Sequence, residues 1–380
     1  MATEAKVLLV GCGGIGGIAA AQLSRAGCDV TVVTGNPEIE RVISEQGIRV
    51  RDIDGKEWRA RPAQAVRSAR ELSGRYDVCL VATKLTTLGD VLGEVTPVLH
   101  ENAPILCLQN GLPETHAAKV VGDDRVVGCV VGFGATLIEP GFSARTSSGG
   151  FQIGRLKPRS DDAELARLAT LLGRGVPTKV VHDLAGVRWS KLAINCATST
   201  LGAVGGDTLG RLLSHRFVRR LVLEVWRELC AVADCEGIRL AKVAGTIDIA
   251  KLALSDEDKR HSVGSLKLFF KHSLLLGIGL KFRRMRSSMA VAIERGRKPE
   301  IDYLNGEVVR RAAQHGIQAP LNRELVSMVH ELVAKRAKPG LDTLYGVYLR
   351  LENGQLGTTG QGPSMMPRRG EPSTTTLRIE

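Results

Sequence analysis

One stretch near the N-terminus, Lys6–Gly16 (KVLLVGCGGIG), constrains the fold more than any other. Lys6–Val10 is a short run of Val and Leu, the pattern of a parallel strand buried on both faces. It runs into Gly11-Cys12-Gly13-Gly14-Ile15-Gly16, a GxGxxG. Ile18–Arg25 follows at helical periodicity, Gly27 closes that helix, and Asp29–Val33 resumes as a strand. A glycine-rich turn can join strand to helix in many α/β proteins. In this strand–loop–helix–strand setting it reads as a dinucleotide site. Gly11 makes the turn, Gly13 lets the backbone approach a pyrophosphate, and Gly16 allows close helix–strand packing. Gly14 and Ile15 complete the loop at the helix N-terminus that holds the anion.

The end of the second strand selects between the nicotinamide cofactors, because an acid there would bind a ribose 2′-hydroxyl. Here Val33-Thr34-Gly35-Asn36-Pro37 offers no acid before Glu38, and Thr34, Asn36 and Arg41 suit a 2′-phosphate. NADPH is favoured and NADH stays open. Ile48–Ala60 alternates around Asp54-Gly55 as a hairpin. Tyr76–Ala82 and Pro104–Leu108 read as buried strands that deliver Thr83-Lys84 and Gln109-Asn110-Gly111 at their carboxyl ends. Ligands of open α/β sheets sit at those ends, so Lys84 and Asn110 point at the cofactor crevice; otherwise they are an ordinary loop lysine and turn. Val126–Leu137 and Phe151–Gly154 read as further strands, Asp161–Leu172 as a helix and Val176–His182 as the last strand.

From Gly186 onward the pattern is helical almost throughout. The expected architecture is therefore α/β: a Rossmann-type dinucleotide-binding domain over 1–185, then an all-helical substrate and catalytic domain over 186–336. A mostly disordered tail, rich in Gly, Ser, Thr and Pro, is expected over 337–380. With 380 residues, 43% of them apolar, the chain can bury two such cores. In the helical half, Lys191, Asn195 and Ser199 stand at i, i+4 and i+8, a polar stripe on one side of RWSKLAINCATS. A solvated helix face is the plain reading of that stripe. Beside a nucleotide, the same lysine and asparagine can protonate and orient a bound carbonyl.

The formal charge of +12 favours an anionic partner, such as a phosphorylated cofactor or a carboxylate substrate. Aromatic residues make up only 4%, which argues against nucleic-acid stacking platforms. The eight cysteines show no CxxC pair, so no metal is expected and a reduced, cytoplasmic chain is. The N-terminus lacks the basic segment of a signal peptide, and no apolar run is long enough to span a membrane. A basic insertion at about 256–286 carries eight Lys/Arg and no Asp/Glu between Lys259 and Arg286. It reads either as an amphipathic membrane-surface or partner-binding element, or as a helix pair with a solvated basic face.

Taken together, GCGGIG at 11–16, TK at 83–84, QNG at 109–111, WSKLAINC at 189–196, SSM at 287–289 and EIDYLNGEVV at 300–309 resemble the ketopantoate reductase (2-dehydropantoate 2-reductase) family over residues 1–336. The resemblance implies NADPH as reductant of a 2-oxo acid, with the active site between the two domains. It implies Lys191 as general acid and Glu300 as its acidic partner. Asn195, Ser199 and Ser288 correspond to substrate-holding positions, and Lys84 and Asn110 to the cofactor side. Three departures concern specificity: the family usually carries asparagine at Ser199, another polar residue near Leu209, and an arginine around Gly35. The first substrate to expect is therefore ketopantoate, on the way to pantothenate. The alternatives are a paralogue acting on another 2-oxo or 2-hydroxy acid, or a nucleotide sensor without turnover. The helical domain offers a surface for a homodimer.

Overall fold

The structure is a computed structural model that describes residues 5–242, 247–255, 258 and 265–356. Its strands are β1 (Lys6–Val10), β2 (Asp29–Val33), β3 (Ile48–Arg51), β4 (Glu57–Ala60), β5 (Gln64–Val66), β6 (Val78–Val81), β7 (Ile105–Cys107), β8 (Val126–Val131), β9 (Ala135–Glu139), β10 (Phe142–Arg145), β11 (Phe151–Gly154) and β12 (Thr178–Val180). Eight of them form one sheet in the order β12-β11-β8-β7-β6-β1-β2-β5. Every neighbouring pair is parallel except β8 with β11. The chain lays β2 and β5 on one side of β1, then returns to place β6 on the other. Strand order thus reverses between β1 and β6, and the crevice at their carboxyl ends is where such sheets take ligands.

The period-2 alternation of β1 explains why the sheet is covered on both faces. Val7 and Leu9 join a core with α1 (Gly14–Arg25) and α5 (Ala163–Gly173), while α2 (Pro37–Gln46) adds Ile39 and Ile43. Leu8 and Val10 join the opposite core with α3 (Leu88–Val95) and α4 (Pro113–Val121). A second sheet, β4-β3-β10-β9, packs against α1. Its β3–β4 hairpin turns at Asp54-Gly55, as the alternation predicts. The apolar run Val126–Leu137 proves to be two strands rather than one. It breaks at Gly132–Gly134, and its second half crosses to the smaller sheet, where it pairs with β10.

The remaining elements are helical: α6 (Leu184–Gly205), α7 (Leu209–Ser214), α8 (Arg216–Cys235), α9 (Ile249–Leu252), α10 (Leu266–Lys281), α11 (Ser288–Glu294), α12 (Asn305–Gln314), α13 (Pro320–Val333) and α14 (Leu341–Glu352). The hub is α6. The Asp183 carboxylate accepts the Gly186 N–H at 2.8 Å to start it, and Gly206 in the left-handed region (φ +67°) ends it. Its small residues bring neighbours close: a Cβ at Gly202 would lie 2.6 Å from that of Ser287.

A buried polar chain ties four helices together. Thr200 Oγ1 donates to Asn305 Oδ1 at 2.6 Å, and Asn305 Nδ2 donates to Cys196 O and Asn322 Oδ1. Glu228 then accepts from Asn322 Nδ2 and from the backbone N–H groups of Leu321 and Asn322, so a carboxylate on α8 caps the N-terminus of α13.

Two sequence expectations need correction. Residues 337–380 are not uniformly tail. Leu341–Glu352 forms α14, which buries Leu344 and Val347 against α6 and α8, while Gly340 N donates to Val204 O at 2.9 Å. Residues 357–380 lie outside the described residues. The basic insertion does not present a simple basic face either. In α10, Leu268, His272, Leu275 and Gly279 pack inward against α7 and α8. The outward side carries Leu266, Phe269, Phe270, Leu274, Leu276 and Leu280 beside Lys267 and Lys281. Lys271 is spent on Asp258 at 2.6 Å, whereas Lys259 and Arg260 lie outside the described residues. Among the described residues no helix is long and apolar enough to cross a membrane.

Candidate active site

The first wall of the crevice is the loop leaving β1. Gly11 adopts φ +95°, and its N–H donates to Val33 O at 2.8 Å; a Cβ there would meet Thr83 N at 2.8 Å. At Gly16 a Cβ would lie 1.9 Å from Gly11 O, so α1 rests directly on the turn. At Gly14 it would lie 2.9 Å from Ala135 O, where β9 begins. Gly13 differs, since a Cβ there would meet nothing within 4 Å. No side chain caps α1 and no acid stands in its first turn. Its leading N–H groups and the bare backbone at Gly13 therefore suit a pyrophosphate.

At the end of β2 the polar residues are partly committed elsewhere. Asn36 Oδ1 accepts from Glu38 N and Ile39 N as the cap of α2, and Arg41 pairs with Glu45 at 2.9 Å. Thr34 is buried, and its N–H donates to Val66 O. Glu38 is the first acid after β2, and Arg67 stands exposed just past Val66, the residue paired with Val33 at this edge.

The second wall is where β6 and β7 meet the helical domain. Lys84 Nζ donates to Lys298 O at 3.1 Å. Asn110 is half-buried, and Gly111 (φ +79°) lets the chain pass Tyr303 O, which a Cβ would approach to 2.7 Å. Glu300 sits just beyond Lys298. Burial pushes its carboxyl above the ordinary carboxylate range, while the Leu85 N–H and the charges of Lys84 and Lys191 pull the other way.

The third wall is α6. Trp189, Leu192, Ala193, Cys196 and Ala197 face the helical core, which turns Lys191, Asn195 and Ser199 toward the cleft. Lys191 Nζ donates to Val131 O at 2.7 Å. Burial lowers this ammonium to about 7, assisted by the positive charge of Arg188 and opposed by Cys129, Glu114 and Glu300. Thus burial drives Lys191 down and Glu300 up, so their ionisation ranges approach each other. Asn195 Nδ2 is buried without a partner among the described residues, as are Thr83 Oγ1 and both amide atoms of Gln109. Such orphaned polar atoms are costly in a core, and they mark a surface shaped for a polar ligand.

Ser199 is tied through its carbonyl, which accepts from Ser287 Oγ at 2.5 Å. Ser287 also caps α11, accepting from Ala290 N, so the buried serine is 287, whereas Ser288 is exposed at the first turn of α11. Leu209 is buried among apolar neighbours and gives the cleft no polar group.

The sequence gives little sign of a role for Arg188 and Glu114. The only signal was an arginine one turn before Lys191 on a largely apolar helix and a glutamate in the first turn after Gln109-Asn110-Gly111. They form a buried ion pair between α6 and α4.

Comparison with known proteins agrees across the chain. The model described as "Ketopantoate reductase PanE/ApbA" matches residues 7–158, and "Ketopantoate reductase PanE/ApbA C terminal" matches 183–333. The 2-dehydropantoate 2-reductase of Pyrococcus horikoshii is 25% identical over 325 residues, 85% of this chain and 96% of that protein. The same-named enzyme of Aquifex aeolicus is 27% identical over 327 residues, with the same coverage. Among solved structures, a PanE/ApbA family ketopantoate reductase from Ralstonia eutropha JMP134 superposes with a TM-score of 0.72 at 27% identity, covering 87% of this chain and 99% of its own. D-mandelate dehydrogenase, solved with NADH and anilino(oxo)acetate, shares the fold with a TM-score of 0.73 at 20% identity, covering 87% and 99%.

Proposed function

The chain belongs to the ketopantoate reductase family, and on that premise we propose that this oxidoreductase reduces a 2-oxo acid to the 2-hydroxy acid with NADPH, ketopantoate being the first substrate to test. One observation carries the reading: a lysine brought to about 7 stands on a rigid helix at the seam of the two domains, facing a carboxyl that burial pushes up.

The bound nicotinamide would supply the hydride. The Gly13 backbone and the first N–H groups of α1 would hold its pyrophosphate, with Lys84 and Asn110 flanking it. Lys191 would donate from Nζ to the substrate carbonyl oxygen. A cation there stabilises the developing alkoxide and then neutralises it, and an acid poised near the working pH transfers its proton most effectively. The bond from Nζ to Val131 O fixes the remaining orientation of the ammonium. Glu300 would hold a substrate hydroxyl or the ammonium itself, and Asn195 Nδ2, unpartnered among the described residues, would donate to substrate oxygen. Ser199 and Ser288 would complete the polar rim.

A second reading, a different 2-oxo acid, is favoured by Ser199 and by the apolar Leu209, which remove polar contacts from the pocket. The fold also carries a mandelate dehydrogenase, so the fold alone does not choose the acid. Initial rates of NADPH and NADH oxidation with ketopantoate and a panel of 2-oxo acids separate the readings. Preferred turnover of ketopantoate with NADPH supports the first, and turnover of another acid supports the second. Nucleotide binding without turnover of any would overturn both in favour of a sensor. The partner expected under this reading is a second copy that meets the chain through its helical domain. A monomer in equilibrium sedimentation would refute that.

A further inference from the structure

Arg188 is fully buried, and every donor direction of its guanidinium that the structure describes lands on the other domain. Nε donates to Glu114 Oε1 at 2.7 Å, Nη1 to Gln109 O at 2.8 Å, and Nη2 to Cys107 O at 2.7 Å and Cys129 O at 3.2 Å. One turn further along α6, Lys191 reaches Val131 O. Two cations of the same helix therefore grip the carboxyl ends of β7 and β8, and the carbonyl held by Nη1 belongs to the residue before Asn110.

A buried ion pair is a poor means of joining two domains, because well-packed apolar residues of the same volume do as well or better. What the fork supplies, and apolar contacts do not, is fixed angles and a fixed field. We propose that Arg188 and Glu114 are positioning residues for the reaction: their ion pair sets the angle at which α6 presents Lys191 to the strand ends, holds the Gln109–Asn110 peptide, and places one positive and one negative charge beside the ammonium.

This inference rests on Lys191 being the proton donor. The charged and titratable groups facing Lys191 are Arg188 on its own helix, Glu114 on α4, Cys129 on β8 and Glu300 after α11, with Lys84 acting on Glu300 from the loop after β6. Arg188 disfavours the ammonium and Glu114 favours it, so the two partners act with opposite signs.

The test is the alkaline limb of kcat/KM for the best substrate of the panel, measured in purified Arg188→Met, Glu114→Gln, Arg188→Lys and the double variant Arg188→Met/Glu114→Gln. Removing the cation should move the limb to higher pH by about one unit, and removing the anion should move it lower. Arg188→Lys keeps the charge but loses the fork, so its limb should stay at the wild-type position while KM or kcat worsens. The double variant carries no unpaired buried charge. It should fold even where the single changes do not, with its limb between those of wild type and Arg188→Met. If every variant loses rate with an unmoved limb, the pair is merely structural and the inference fails. Should Lys191→Ala keep full turnover, it is the assignment of Lys191 that fails, and the two results are thereby distinguished.

Discussion

Titrating Lys191 is the perturbation with the clearest arithmetic. An ordinary lysine ionises near 10.4, so an enzyme using one as general acid would hold its rate up to about pH 9. Here burial brings the ammonium to about 7, with Arg188 contributing in the same direction. The acid form must be present for reduction, so kcat/KM should be flat on the acid side and fall about tenfold per pH unit above about pH 7. Oxidation of the hydroxy acid needs the free amine and should rise over the same interval. Glu300 raises the ammonium, so Glu300→Gln should shift the reductive limb to lower pH as well as slow the reaction. The assay is the initial rate of NADPH consumption across pH 5.5–9.5 at constant ionic strength, with nucleotide binding followed separately to exclude an effect on the cofactor. A reductive rate unchanged to about pH 9, or a limb that Glu300→Gln moves upward, would rule out Lys191 as the titrating acid.

The remaining predictions concern the scaffold. Gly16→Ala forces a Cβ to within 1.9 Å of Gly11 O and should lower the melting temperature by several degrees, whereas Gly13→Ala has open space and should leave it unchanged while weakening nucleotide binding in a fluorescence titration. Asn305→Ala strands Asn322 Oδ1 and the Thr200 hydroxyl in the core, and urea unfolding should show a loss of about 3 kcal/mol. Leu344→Ala tests whether α14 belongs to the fold: a buried leucine against α6 should cost about 3 kcal/mol, and a change within about 0.5 kcal/mol would return the segment to the tail.

Local signals carried the α/β half because its rules are local. A Val/Leu run followed by GxGxxG and a helical period determines strand, turn and helix within twenty residues, and β1 and α1 lie where that pattern puts them. The placement of Lys191 and Asn195 on one helix was also legible from their spacing, and the charges of Lys191 and Glu300 act on each other. What escaped was non-local. β10 has only four residues, and it pairs with β3 through Phe142 opposite Arg49, far apart in the sequence. The helix α14 was hidden because Gly340 gives its start no side-chain cap and the low-complexity segment after it dominates the composition. Arg188 and Glu114 stand 74 positions apart, and nothing short of the folded chain brings them together. For the outward side of α10, the count of cations misled. Lys271 turns inward to Asp258, and the exposed surface is mostly leucine and phenylalanine.

Delivery of the proton by Lys191 is probed by Lys191→Ala. Turnover of the best 2-oxo acid should be compared with wild type beside the dissociation constant for NADPH. General-acid catalysis of this kind contributes about 10²–10⁴ in rate. Lys191→Ala should lose about that much in kcat with nucleotide affinity unchanged, because Lys191 lies on α6 and the dinucleotide loop on the other wall of the crevice. Wild-type turnover in Lys191→Ala would contradict that role.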